Sequence, residues 1–147
     1  HGTACAARHW TGVGSALESD AGRPVVVMAH GLAGTVDSGL VPFAEALAEA
    51  GMDVVAFDYR GFGASQGSPR QRVRVADQVD DYRAAVTAAQ RLPGVDASRV
   101  VLWGVSLAGG HVLQVAAGRD DVAAVVSLTP LARAPCCARP SPAYAAG

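Results

Sequence analysis

Val100-Val-Leu-Trp-Gly104-Val-Ser106-Leu-Ala108-Gly-Gly110-His-Val-Leu113 is the stretch on which the fold turns. Its apolar run, Val100 to Trp103, predicts a buried strand, and an apolar helical pattern resumes directly after a serine set among small residues. That order describes a tight strand-to-helix turn that lifts one hydroxyl above a sheet, the geometry of a nucleophile elbow. Small neighbours are needed because the turn is strained and the helix begins close to the strand. The usual pattern is G-x-S-x-G. Here the last position is Ala108, followed by two further glycines.

Composition limits what can surround this stretch. A chain of 147 residues forms one domain, able to bury roughly 70% of its unfolded surface. Half of the residues are hydrophobic, which favours a globular core over disorder. No apolar run approaches the ~18 to 20 residues that span a bilayer, so no membrane partner is expected. The formal net charge of −1 gives no pull toward nucleic acid. All twelve basic residues are arginine, and lysine, isoleucine and asparagine are absent, as a GC-rich and therefore bacterial genome would produce. The three cysteines, Cys5, Cys136 and Cys137, form neither a disulfide framework nor a zinc-binding spacing, so no metal or other cofactor is expected. The first residue is His1, and no charged segment leads into an apolar one. The expectation is a chain that starts inside a longer protein or after processing, in a cytoplasmic setting.

Outward from the elbow, apolar runs and turn signals alternate. Residues 1–23 are rich in glycine and alanine and read as an ill-defined lead-in, with a short edge strand near Arg8 to Thr11. Val25 to Ala29 is continuously apolar, as expected of a strand covered on both faces. Pro42 suits a helix start, with Phe43, Leu47 and Ala50 as its apolar stripe and Gly51 as its stop. Asp53 to Phe57 is a second strand. From Val75 to Leu92 the residues Val75, Val79, Tyr82, Val86 and Ala89 share one helical face, and Pro93-Gly94 ends it. The helix after the elbow runs to about Ala117, and Val122 to Leu128 makes a fourth strand. Strands alternating with helices at this spacing predict an α/β fold, a doubly wound, mostly parallel sheet of four core strands with helices on both faces. The domain spans 24–130. Residues 131–147, rich in alanine, proline, cysteine and arginine without a period, read as an irregular tail.

Three loops leave the carboxyl ends of consecutive strands, where open α/β sheets bind ligands. The loop His30 to Thr35 can present a backbone N–H, with Leu32 the chosen residue. The elbow presents the N–H of Leu107 at a helix start. Two such donors aimed at one point would hold the negative oxygen of a tetrahedral acyl intermediate while the Ser106 hydroxyl attacks the carbon. The other glycine-rich stretches fit phosphate binding poorly. Gly61-Phe-Gly63-Ala-Ser-Gln-Gly67 places its last glycine one residue too far for a dinucleotide fingerprint, and Gly104 to Gly110 lacks the Lys-Ser/Thr of a P-loop.

His30-Gly-Leu-Ala-Gly, Phe57-Asp-Tyr-Arg-Gly-Phe-Gly-Ala-Ser and Trp103-Gly-Val-Ser-Leu-Ala-Gly-Gly-His, in this order, resemble the α/β-hydrolase superfamily, with greatest likeness to its serine-aminopeptidase-like and dienelactone-hydrolase-like branches. The resemblance covers roughly Pro24 to Pro130. It implies a serine hydrolase acting on a small-molecule ester or amide through an acyl-enzyme at Ser106, with Leu32 and Leu107 as oxyanion donors. It also implies that the four strands are the family's third to sixth, in spatial order 4-3-5-6.

The family's triad follows the order serine, acid, histidine. Only 41 residues follow Ser106, and none after His111 is histidine. His111 lies on the helix that the elbow starts and is expected to pack or face solvent. Asp120 and Asp121 are expected at a solvated turn at the far end of the sheet. His30 is expected to brace its loop, and Asp58 to position Arg60 or the loop that follows it. Loss of the triad histidine costs on the order of 10⁶ in kcat. The expectation is therefore a partial product, nearly inactive as it stands, either a fragment or a reading frame shifted near Leu131. The alternative is a non-catalytic binding module on the same fold. Oligomeric state is left open.

Overall fold

Val25, Val26, Val27, Met28 and Ala29 have no exposed surface at all, and their alternation builds two cores rather than one. The computed structural model describes residues 2–131. Its elements are β1 (Ala7–Trp10), β2 (Arg23–Ala29), α1 (Val41–Glu49), β3 (Asp53–Phe57), α2 (Val75–Ala89), β4 (Val95–Val105), α3 (Leu107–Ala116) and β5 (Val122–Leu128). They form one five-stranded sheet in the order β1-β3-β2-β4-β5. The expected order 4-3-5-6 is the run β3-β2-β4-β5, all of it parallel. A fifth, antiparallel strand, β1, is added beside β3.

Odd and even positions along the strands face opposite layers. Val25, Val27, Val55, Phe57, Val100 and Leu102 pack against Val79, Tyr82 and Val86 of α2 and Ala108, Val112 and Val115 of α3. Val26, Met28, Val54, Ala56 and Trp103 pack against Ala44 and Ala48 of α1. Helices on both faces of a mostly parallel sheet make the fold doubly wound.

Three details depart from the sequence reading. The buried face of α1 is Ala44 and Ala48, not Phe43 and Ala50. Two alanines let the helix axis approach the sheet, and Phe43, half exposed, lies over Trp103 with ring centroids 5.2 Å apart. The lead-in is knitted to the body. Ala6 donates its N–H to the Ser65 hydroxyl at 2.8 Å, and Asp58 and Gln66 donate theirs to the carbonyls of Ala6 and Ala4 at 2.9 Å each. Helix α2 stops at Ala89, before the Leu92 that periodicity suggested, with a turn leading into an early start of β4 at Val95. The expected tail over 131–147 falls, apart from Leu131, outside the described residues.

Candidate active site

Ser106 sits between β4 and α3 at φ 56°, ψ −115°, a left-handed backbone that a residue with a Cβ rarely adopts. The turn is tight because strand and helix nearly touch. A Cβ at Gly104 would lie 2.3 Å from the carbonyl oxygen of Ala108. Ala108 itself is fully buried among core residues, so the position where the sequence departs from the usual motif accommodates a methyl group. The close approach that demands glycine is at 104.

Neighbouring strands hold the turn. Ser106 donates its N–H to the Leu128 carbonyl at 2.9 Å, and its own carbonyl accepts from Leu131 at 2.8 Å and Gly110 at 3.3 Å. Leu107, the first residue of α3, has an N–H with no acceptor inside the helix. On the other side, the loop after β2 lies against the serine. A Cβ at Gly31 would come within 3.1 Å of the Ser106 Cβ and 3.7 Å of its Oγ. Leu32 follows with its side chain mostly in solvent, and Ala33 turns the chain at φ 56°. The fold therefore brings Ser106, Leu107 and the backbone at Gly31 and Leu32 to one end of the sheet. In chemical terms this is a hydroxyl at a strained turn, with a helix N-terminus on one side and a glycine-bearing loop on the other.

His30 is buried at the start of that loop. Its Nδ1 donates to the Gly31 carbonyl at 2.9 Å, and its Nε2 accepts the Tyr59 N–H at 3.5 Å, which assigns the neutral tautomer. Burial holds the ring below its ordinary pKa of 6.5, outweighing the Gly31 hydrogen bond and the Asp58 charge that pull it up. The histidine braces the loop and has no nitrogen left for the serine. Asp58 ties the same loop to the one after β3, accepting from Val36 N–H at 2.8 Å and Ala64 N–H at 3.0 Å. It does not hold Arg60. Asp81 of α2 does, accepting from Arg60 Nε at 2.8 Å and from its backbone N–H at 3.0 Å. This lock was missed because an Asp on a helix face reads as solvated until the loop is seen folded onto it. Gly63 was the readable signal for the Asp58 clasp, since a Cβ there would lie 2.0 Å from the carboxylate.

His111 is buried against α2 with its Nε2 3.0 Å from Gln78 Oε1, and burial lowers its pKa. It packs rather than facing solvent. Asp121 pairs with Arg119 at 2.5 Å and accepts from Gln90 at 2.7 Å, near the amino end of β5. His9 pairs with Asp53 at 2.9 Å where β1 meets β3. Burial and the adjacent Asp81 carboxylate push the Cys5 thiol up to about 11, far from the thiolate a nucleophile needs. Among the described residues no three metal-ligating side chains gather, and no helix is long and apolar enough to cross a membrane.

Comparison with known proteins bears on the same elements. Residues 24–145 match the family model for the alpha/beta hydrolase fold. The quorum-quenching protein AidA of Acinetobacter baumannii is 47% identical over 107 residues, 73% of this chain and 35% of that protein. Thiohydrolase aneE of Aspergillus aculeatus is 38% identical over 116 residues, 78% of this chain and 36% of that one. Among solved structures, DcsB in complex with its substrate analogue superposes with a TM-score of 0.73 at 28% identity, over 82% of this chain and 39% of its own. The chain thus spans little more than a third of the length of these curated relatives.

Proposed function

Given that the chain belongs to the alpha/beta hydrolase fold family, we propose that it carries the nucleophile and oxyanion elements of a serine hydrolase acting on an acyl substrate. The observation that carries this reading is Ser106 held at φ 56° with the Gly31 backbone against it. A serine gains nothing structural from that conformation, whereas a nucleophile gains an exposed hydroxyl at a helix start.

In the proposed reaction Ser106 Oγ forms a bond to the acyl carbon and gives up its proton to a base. The carbonyl electron pair moves onto oxygen, where the N–H groups of Leu32 and Leu107 stabilise it, each donor contributing about 10²–10³ in rate. Collapse expels the leaving group with a proton, and water hydrolyses the acyl-enzyme. The ester or amide class follows from this chemistry, and the thiohydrolase relative adds thioesters to the carbonyls worth assaying. His30, Asp58 and the Nε2 of His111 are engaged elsewhere, which disfavours these residues as base or acid. We assign the base and acid to the portion of the relatives' length that lies outside the match.

Among the described residues no base stands beside Ser106, which favours a second reading, a binding module that has kept the fold. A fluorophosphonate probe separates the two. It should label Ser106 in the complete protein, with the acid and histidine supplied, and leave Ser106→Ala unlabelled in that same context. Equal labelling of both, or of neither, in that complete protein overturns the hydrolase reading.

A further inference from the structure

A concavity of about 230 Å³ opens between the loop after β3 and the first turn of α2, and three arginines, Arg60, Arg72 and Arg74, stand in its wall. We propose that it is an oxyanion-binding site for a phosphate or phosphomonoester group, independent of Ser106.

Arg60 is fixed in advance. Asp81, buried beneath it, takes Arg60 Nε at 2.8 Å and one terminal nitrogen at 2.6 Å, leaving the remaining guanidinium N–H groups to point elsewhere. A guanidinium clamped from behind needs no further ordering to meet an anion. Arg72 is exposed and enters no ion pair among the described residues. Arg74 is paired only loosely, 3.4 Å from Asp77 across the exposed first turn of α2.

The helix start adds to the positive field. Arg74 is the N-cap of α2, a 15-residue helix, and no side chain caps it, so the first N–H groups have no protein acceptor there. Gly67 and Ser68 also line the cavity. Two carboxylates, Asp77 and Asp81, oppose three guanidinium groups, which leaves a net positive site that one bound oxyanion would neutralise. The volume is below the roughly 300 Å³ at which drug-sized ligands are accommodated, so it suits a phosphoryl group on a small body rather than a nucleotide.

Calorimetric titration of the protein with inorganic phosphate at constant chloride tests this. Saturable binding is expected, weakened at least about tenfold in Arg72→Ala/Arg74→Ala, partly restored in Arg72→Lys/Arg74→Lys, and unchanged in Ser106→Ala. The two arginine double variants should keep the wild-type circular dichroism, since Arg72 and Arg74 are exposed. No saturation up to about 10 mM phosphate, equal binding by the double alanine variant, or equal affinity for acetate and phosphate would each overturn the assignment.

Discussion

Two buried tyrosines show how much one hydroxyl can weigh. Tyr82 of α2 donates to the Val27 carbonyl at 2.5 Å and accepts the Trp103 N–H at 3.2 Å, so its oxygen joins β2 to β4 beneath the helix. Tyr59 is equally buried, yet its hydroxyl has no partner among the described residues, and it lies among rings, with His30 4.9 Å away edge to face. Removing the first hydroxyl takes a buried hydrogen-bond partner from the backbone of two strands, whereas removing the second takes none. Tyr82→Phe should lose about 1–3 kcal/mol in urea denaturation, while Tyr59→Phe should be neutral or gain up to about 1 kcal/mol. A Tyr59→Phe loss as large as that of Tyr82→Phe would refute the contrast. The sequence placed Tyr82 on the apolar face of its helix but held no sign of this difference. Helical spacing says which way a side chain points, and only the packed strands decide what its tip meets.

At the scale of elements, the elbow explains its own imperfect motif. The usual closing glycine is Ala108 here, and its methyl group is absorbed into the core under α2. Gly104 has no such room, facing the Ala108 carbonyl across the strand-helix contact. Gly104→Ala should therefore cost about 1–3 kcal/mol or more by overpacking and abolish probe labelling of Ser106 in the complete protein. A variant that labels normally at wild-type stability would show the contact to be slack. The strands, the elbow and the loops at its flank were legible because continuous β-branched runs and glycine clusters are local signals. The stripe of α1 was not, because periodicity weights Phe43 above Ala44 and Ala48, while close packing against the sheet selects the smaller side chains. The Arg60–Asp81 lock and the Asp58 clasp on Val36 were equally hidden, since they join residues 21 and 22 positions apart in sequence.

For the whole molecule, the two buried histidines set a pH limit. Burial keeps His30 and His111 below their ordinary pKa of 6.5, so the unfolded chain takes up protons first as pH falls. Their contribution is intact above about pH 6.5 and is lost progressively as pH falls through the lowered folded-state values. Denaturation midpoints should be level near about pH 8 and drop by about pH 5.5, and a flat profile would place both rings in contact with water. The same architecture distributes order unevenly. β2 is hydrogen-bonded on both sides and covered on both faces, whereas β5 pairs only with β4 among the described residues and has Ala123, Ala124 and Val125 exposed. Solvent exchange of backbone protons should therefore be slowest in β2 and fastest among the parallel strands in β5. Yet β5 supplies the carbonyl, at Leu128, that pins the Ser106 N–H. The least protected of the parallel strands anchors the strained elbow turn. Whatever stiffens β5 from its open side also steadies the serine hydroxyl, so reactivity at residue 106 is tied to how firmly that far strand is held.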